Sequence, residues 1–411
     1  MDGACPLGTR EGAGMNDKRN LHIDILRGIS IMLVMLLHYS LAYRLHLSPL
    51  NEWIPVQTLR TIFFNGNYGV SVFFVISGFL ITTNIVRRYG SLADTDVIHF
   101  YKLRLFRLYP SVVLALVVIT VLGLAGLPNF SNIVHGKDLG NGFFLVANLS
   151  VLTFWHNLLM EGVGYFNYAM NIYWSLSVEE VFYLVYPLVL VIARRRWQLI
   201  VLSCLGLVVG PAYRWLYRSD ELFFMYGNLA CVDMLVYGCA AAVAAGSVQL
   251  SNGYRRLLAW LSLAAMGWVY MRGIGGNEAF GATQLGLAAA VFLVMVSRLP
   301  AGTWARRAGG PLAWLGSHSY ELYLFHIVVL GLMQEIIPRA DMGAGRKLPM
   351  LVVFFLASVA AAWAVARWYG DPLNRRLRAS SAGQKATTNP RRRAASCAPA
   401  AARPGDRQGS V

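Results

Sequence analysis

The chain has 411 residues, 56% of them hydrophobic and only 14% charged, and its mean hydropathy is +0.50. That balance excludes an ordinary soluble enzyme and points to a polytopic membrane protein. The net charge of +16 is not a nucleic-acid signature, because the stretch from Arg375 to Val411 supplies +8 of it, with nine basic residues against the single acid Asp406.

In chain order, residues 1–20 read as a short cytoplasmic segment. The first apolar stretch, 23–43, contains Arg27 and His38. It is too long for the apolar part of a signal peptide, and no small-residue cleavage site follows. Eleven steps of 100° make three turns plus about 20°, so Arg27 and His38 project from one helix face, roughly 16 Å apart along the axis. Ionisable groups inside hydrocarbon are costly, which makes this pair a functional candidate. A second segment spans 69–86. Arg104 and Arg107 lie just ahead of a third, 109–127, and their i, i+3 spacing suits a grip on phosphate. Plain anchoring by positive charge on the cytoplasmic side accounts for the same spacing.

Residues 128–173 are aromatic and polar; sugar-binding surfaces have this composition, and so do many ordinary loops. The apolar run within them, 143–155, is broken by Asn148 and is expected to be re-entrant or interfacial. The fourth segment, 175–193, opens on Trp174-Ser-Leu-Ser177-Val-Glu179-Glu180. Two adjacent carboxylates cannot share one helix face, so one is expected to point inward and the other toward solvent. Further apolar segments fall at 198–213, 227–245, 257–271, 281–297, 311–335 and 348–368. Asp233 is an intramembrane acid in need of a partner. In the ninth segment Tyr320, Tyr323 and His326 recur every three residues as a polar stripe. Residues 373–411, rich in Ala, Pro, Ser and Gly, are expected to be a disordered basic tail facing anionic lipid, dispensable for catalysis beyond Arg375.

The fold class is therefore all-α: a membrane helix bundle of about ten transmembrane helices. Placing both termini in the cytoplasm puts sixteen basic residues in inside segments, before the tail is counted, against nine outside, as the positive-inside rule requires. The two halves show no self-similarity, which argues against a transporter of inverted repeats. The five cysteines are scattered, and neither a disulfide framework nor a metal site is expected.

The first helix, Gly69-Val-Ser-Val-Phe73-Phe74-Val-Ile-Ser77-Gly78-Phe79, the Arg104/Arg107 pair, Trp174 to Pro187, and Ser319-Tyr320 to His326 occur in this order. Over roughly residues 21–372 this set resembles the acyltransferase 3 family of integral membrane O-acyltransferases, the O-antigen acetylase-like group. The resemblance implies transfer of an acyl group, usually acetyl from acetyl-CoA, to a hydroxyl of a cell-surface carbohydrate. It assigns the family's Arg-x10-His signature to Arg27 and His38, and its cytoplasmic CoA-binding pair to Arg104 and Arg107. Two positions depart from the family. Ser71 stands where many members carry an acid, and Asp371-Pro372 stands where many carry Glu-Pro. Only 39 residues follow Pro372, too few for the hydrolase-like domain that some relatives add.

The expected catalytic set is His38, Arg27, Glu179 and His326, with Arg104 and Arg107 for the donor. A sugar hydroxyl needs a base, and an imidazole titrates in the right range. His38 would serve as that base or as the acyl carrier itself. No resident cofactor or metal is expected. The expected partners are acyl-CoA, the carbohydrate acceptor, membrane lipid and separate glycan-assembly proteins, with no nucleic acid, in the inner (plasma) membrane. Two alternatives stand beside this reading: acylation of a small secondary metabolite or lipid, and, from another class, a carrier or flippase for glycan or lipid precursors.

Overall fold

In a computed structural model 80% of the described residues are helical. The structure describes residues 20–192, 196–302, 306–307 and 309–388. Helix α1 (Leu21–Tyr43) is capped by Asn20, whose side chain accepts from the amides of His22 and Ile23. The Asn20 amide also donates to the Val296 carbonyl at 2.9 Å, tying the start of α1 to a distant helix end. There follow α2 (Val56–Phe64), α3 (Asn67–Tyr89), α4 (Val97–Leu124), α5 (Phe143–Leu152), α6 (His156–Val163), α7 (Trp174–Ile192), α8 (Arg196–Leu216), α9 (Glu221–Tyr226), α10 (Val232–Ser247), α11 (Asn252–Arg272) and α12 (Gly281–Val296). Last come α13 (Gly310–Ser317), α14 (Ser319–Ile336), α15 (Lys347–Val365), a π-turn over Ala366–Gly370, and α16 (Asp371–Thr388). A two-stranded ribbon pairs Ile133–Val134 with Lys137–Asp138.

All ten apolar segments fall on helices. Among the described residues, six helical stretches are long and apolar enough to cross a membrane by length and composition. The run at 143–155 forms the ten-residue α5, too short to span about 30 Å of hydrocarbon. Three expectations need correction. The third helix begins at Val97, because Asp96 caps it through the His99 amide at 2.9 Å; Arg104 and Arg107 therefore lie inside it. The segment 311–335 is two helices, broken at His318, whose backbone leaves the helical region. Residues 373–388, expected to be disordered, are helical in α16. Asp371 in the first turn favours that helix through the macrodipole, and α16 packs on α4. Residues 389–411 and 1–19 lie outside the described residues.

Glycines let backbones meet where the bundle is tightest. A Cβ on Gly28 of α1 would strike the Leu312 carbonyl of α13, and one on Gly316 would strike the Asp24 carbonyl. The pair Gly78 and Gly238 does the same between α3 and α10, against the carbonyls of Leu235 and Val75. Small residues at helix crossings are the usual device where lipid removes the hydrophobic drive for association. These crossings hold α1 and α3 at the centre of the bundle.

Candidate active site

The site residues expected from the sequence lie on α1, α4, α7 and α14. Helices α1 and α14 run parallel and touch through polar side chains at two levels. At the first, Arg27 Nη2 donates to Ser319 Oγ at 2.8 Å, and Arg27 Nη1 lies 3.9 Å from the Asp24 carboxylate. At the second, His326 Nε2 lies 3.1 Å from His38 Nδ1. The eleven-residue step on α1 rises about 16 Å and the seven-residue step on α14 about 10 Å. The long arginine side chain spans the difference.

The hydrogen-bond network assigns the tautomers of the histidine pair. His38 Nδ1 faces the Val34 carbonyl at 2.9 Å, and His326 Nδ1 faces the Leu322 carbonyl at 2.9 Å. A carbonyl oxygen only accepts, so both Nδ1 atoms carry the proton. His326 Nε2 is then an acceptor and receives a share of the His38 Nδ1 proton. Two acceptors therefore fix that proton, and His38 Nε2 keeps its lone pair. His326 is fully buried, and the two rings are inclined at 51° with centroids 5.0 Å apart.

The stripe on α14 continues from His326. Tyr323 packs on His326 with ring centroids 5.9 Å apart. Its hydroxyl donates to the Ile172 carbonyl at 2.7 Å and contacts Ser175 Oγ at 2.6 Å. Tyr320 donates to the Leu108 carbonyl of α4 at 2.9 Å. Ser175, Glu179 and Tyr183 recur every four residues and so share one face of α7. The Glu179 carboxylate accepts from Ser77 and Tyr183 and lies 3.7 Å from Arg104 Nη2. The Arg104 guanidinium stacks on the Tyr183 ring, 3.4 Å from its centroid.

Glu180 is only 5% exposed and Glu179 more accessible, but Glu179 does not turn to solvent as expected, since it binds Ser77 of α3, Tyr183 and Arg104 of α4. Two buried polar atoms here have no partner, Arg104 Nε and Glu180 Oε1. Buried polar groups are normally satisfied, which sets these two atoms apart. Arg104 and Arg107, expected to act as a pair, face different surroundings. Arg104 turns into the Glu179–Tyr183 cluster, while Arg107 is exposed and in electrostatic reach of Glu321 and Arg378.

Sequence reasoning missed the partner of Asp233. It is Arg214, only 2% exposed, bound bidentately at 2.9 and 2.7 Å, with Thr283 Oγ1 donating to the same carboxylate at 2.7 Å. Arg214 reads as a residue of an outer loop because it follows Pro211 near the end of an apolar run, yet α8 continues to Leu216. The roles of Ser77, Ser175 and Ser319 were also missed, although the four-residue spacing of 175, 179 and 183 was visible. Ser71 lines a cavity of about 40 Å³ with Asn67, Trp174, Arg214 and Glu278. The Glu278 carboxylate lines the same cavity, away from α3. Among the described residues no cluster could hold a metal ion.

A helical membrane bundle with ionisable residues gathered along its inner seams defines a membrane-embedded protein with a functional interior. The sequence profile of the acyltransferase 3 family, an acyltransferase domain, matches residues 20–367, and the chain belongs to that family. It is similar to the O-acetyltransferase OatA of Staphylococcus aureus strain NCTC 8325 / PS 47, with 26% identity over 311 residues, covering 67% of this chain and 48% of the relative. A protein of S. aureus strain COL that carries an O-acetyltransferase name, SACOL0978, is 25% identical over 339 residues, covering 76% of this chain and 51% of the relative. The chain thus spans about half the length of the curated relatives it matches. No solved structure matches it.

Proposed function

We propose that this chain is a membrane O-acyltransferase of the plasma membrane, with both termini cytoplasmic and about ten transmembrane helices. It would pass an acyl group, acetyl from acetyl-CoA, to a hydroxyl of a cell-surface carbohydrate. The observation that carries this reading is the His38–His326 pair, which holds the His38 proton on Nδ1 and leaves Nε2 as a base.

In the proposed step His38 Nε2 takes the proton of the acceptor hydroxyl as its oxygen attacks the thioester carbonyl. A new C–O bond forms, the C–S bond breaks, and the leaving CoA sulfur recovers the proton from His38. Positive charge on His38 during this step is stabilised by the Val34 carbonyl and His326 Nε2, both fixed beforehand. Arg27, held by Ser319 and Asp24 toward the cytoplasmic end, and Arg104 face the donor's side. Glu179 holds Arg104 in place, and the exposed Arg107 is the cation best placed to meet CoA phosphate. The test is an assay of membranes containing the chain. They should release free CoA from acetyl-CoA and deposit base-labile acetyl on surface glycan. Glycan movement without thioester cleavage would favour a carrier instead.

A further inference from the structure

Residues 128–173 fold over the ends of α1 and α14, on the face opposite the proposed cytoplasmic side. The Asn129 amide and side chain both donate to Glu335 near the end of α14, at 2.8 and 2.9 Å. Asn167 braces this segment from within, donating to the Phe130 carbonyl at 2.8 Å and to Asn132 at 2.9 Å. The fold leaves a cleft of about 270 Å³, whose lining includes Asn129, Ser131, Tyr165, Phe166, Tyr168 and Asn171.

Three features of this cleft point to one kind of ligand. None of its lining residues is charged. It presents aromatic surface, with Tyr165 45% exposed. It also holds spare polar capacity: the Tyr168 hydroxyl is buried without a partner, and no hydrogen bond within the described residues uses the Asn171 side-chain NH₂. Flat rings beside unspent neutral donors and acceptors suit a neutral polyhydroxylated ligand, which stacks its C–H face and spreads many weak hydrogen bonds. An anionic head group would find no cation among the lining residues, and the nearby carboxylate of Glu335 is held by Asn129.

The cleft also communicates with the histidine pair. Asn171 lines it, and the next residue, Ile172, accepts the Tyr323 hydroxyl, whose ring packs on His326. Tyr173 in turn reaches the Leu324 carbonyl.

We infer that this cleft docks the acceptor, a neutral carbohydrate, and delivers its hydroxyl toward His38 from the outer face. The inference rests on the acyl-transfer reading above. The test uses full-length protein in membranes, labelled acetyl-CoA, and a solubilised surface-glycan fraction from the same host as the probe. Y165A and N171A should raise the glycan concentration for half-maximal transfer about tenfold or more, with the acetyl-CoA dependence unchanged. Y165F keeps the ring and loses the hydroxyl's bonds to Tyr226 and Glu221, so its glycan dependence should shift less than that of Y165A. Unchanged glycan dependence in Y165A and N171A would overturn the inference. So would a Y165F defect equal to that of Y165A, a parallel rise in both dependences, or label arriving in extracted lipid rather than glycan. Wild-type membranes that transfer no label would overturn the acyl-transfer reading itself, and this inference with it.

Discussion

His326 touches His38 and no other part of the proposed reaction, so it is a positioning residue with a testable signature. Replacing it with Leu leaves His38 Nδ1 bonded only to the Val34 carbonyl and removes the acceptor that fixes the ring. The expected outcome is a fall in kcat of roughly 10–100-fold with little change in either KM. His326→Gln, which restores an acceptor, should recover part of it. Equal losses in kcat and acetyl-CoA binding would place His326 in the donor site instead. At this scale the sequence was informative because ionisable residues in apolar helices are few. Arg27, His38, Glu179 and His326 stand out by type alone, and the structure places them in separate groups: Arg27 with Ser319 and Asp24, His38 with His326, and Glu179 with Ser77, Tyr183 and Arg104. The pairings were not legible, since Arg27–Ser319 and His38–His326 join residues almost 300 positions apart.

At the scale of elements, Arg214 and Asp233 pin α8 to α10 inside the bundle. Removing one partner of a fully buried pair strands a charge, at a cost of about 3–5 kcal/mol, whereas replacing both by apolar side chains is often tolerated. Arg214→Met and Asp233→Asn should therefore each lower membrane abundance and the melting temperature in detergent. The double variant Arg214→Met/Asp233→Leu should recover most of the loss. Single variants as stable as wild type would show that the pair is solvated. Helix positions were largely readable because apolar runs of this length have few other uses. Helix ends were not. The cap at Asp96 extended the start of α4 by twelve residues relative to its apolar run, and the break falls at His318 with no Gly or Pro at that position.

For the whole molecule, α16 alters what can be removed. The polar composition after Arg375 suggested dispensability, but α16 packs on α4 and carries Arg378 into electrostatic reach of Arg107 and Arg88. Deleting residues 389–411 should leave activity near wild type. Truncation after Arg375 should raise the KM for acetyl-CoA or reduce abundance, because it takes most of α16 away. Equal activity of both truncations would mean that α16 contributes nothing to the donor side. The most direct test of the account is transfer by His38→Ala. Membranes carrying wild-type chain or this variant at matched abundance would be given labelled acetyl-CoA and surface glycan, and base-labile label in the glycan counted. Loss of the base predicts a fall of about 10²–10⁴-fold in the variant. Retention of more than about a tenth of wild-type ester formation would contradict a role for His38 in the chemical step.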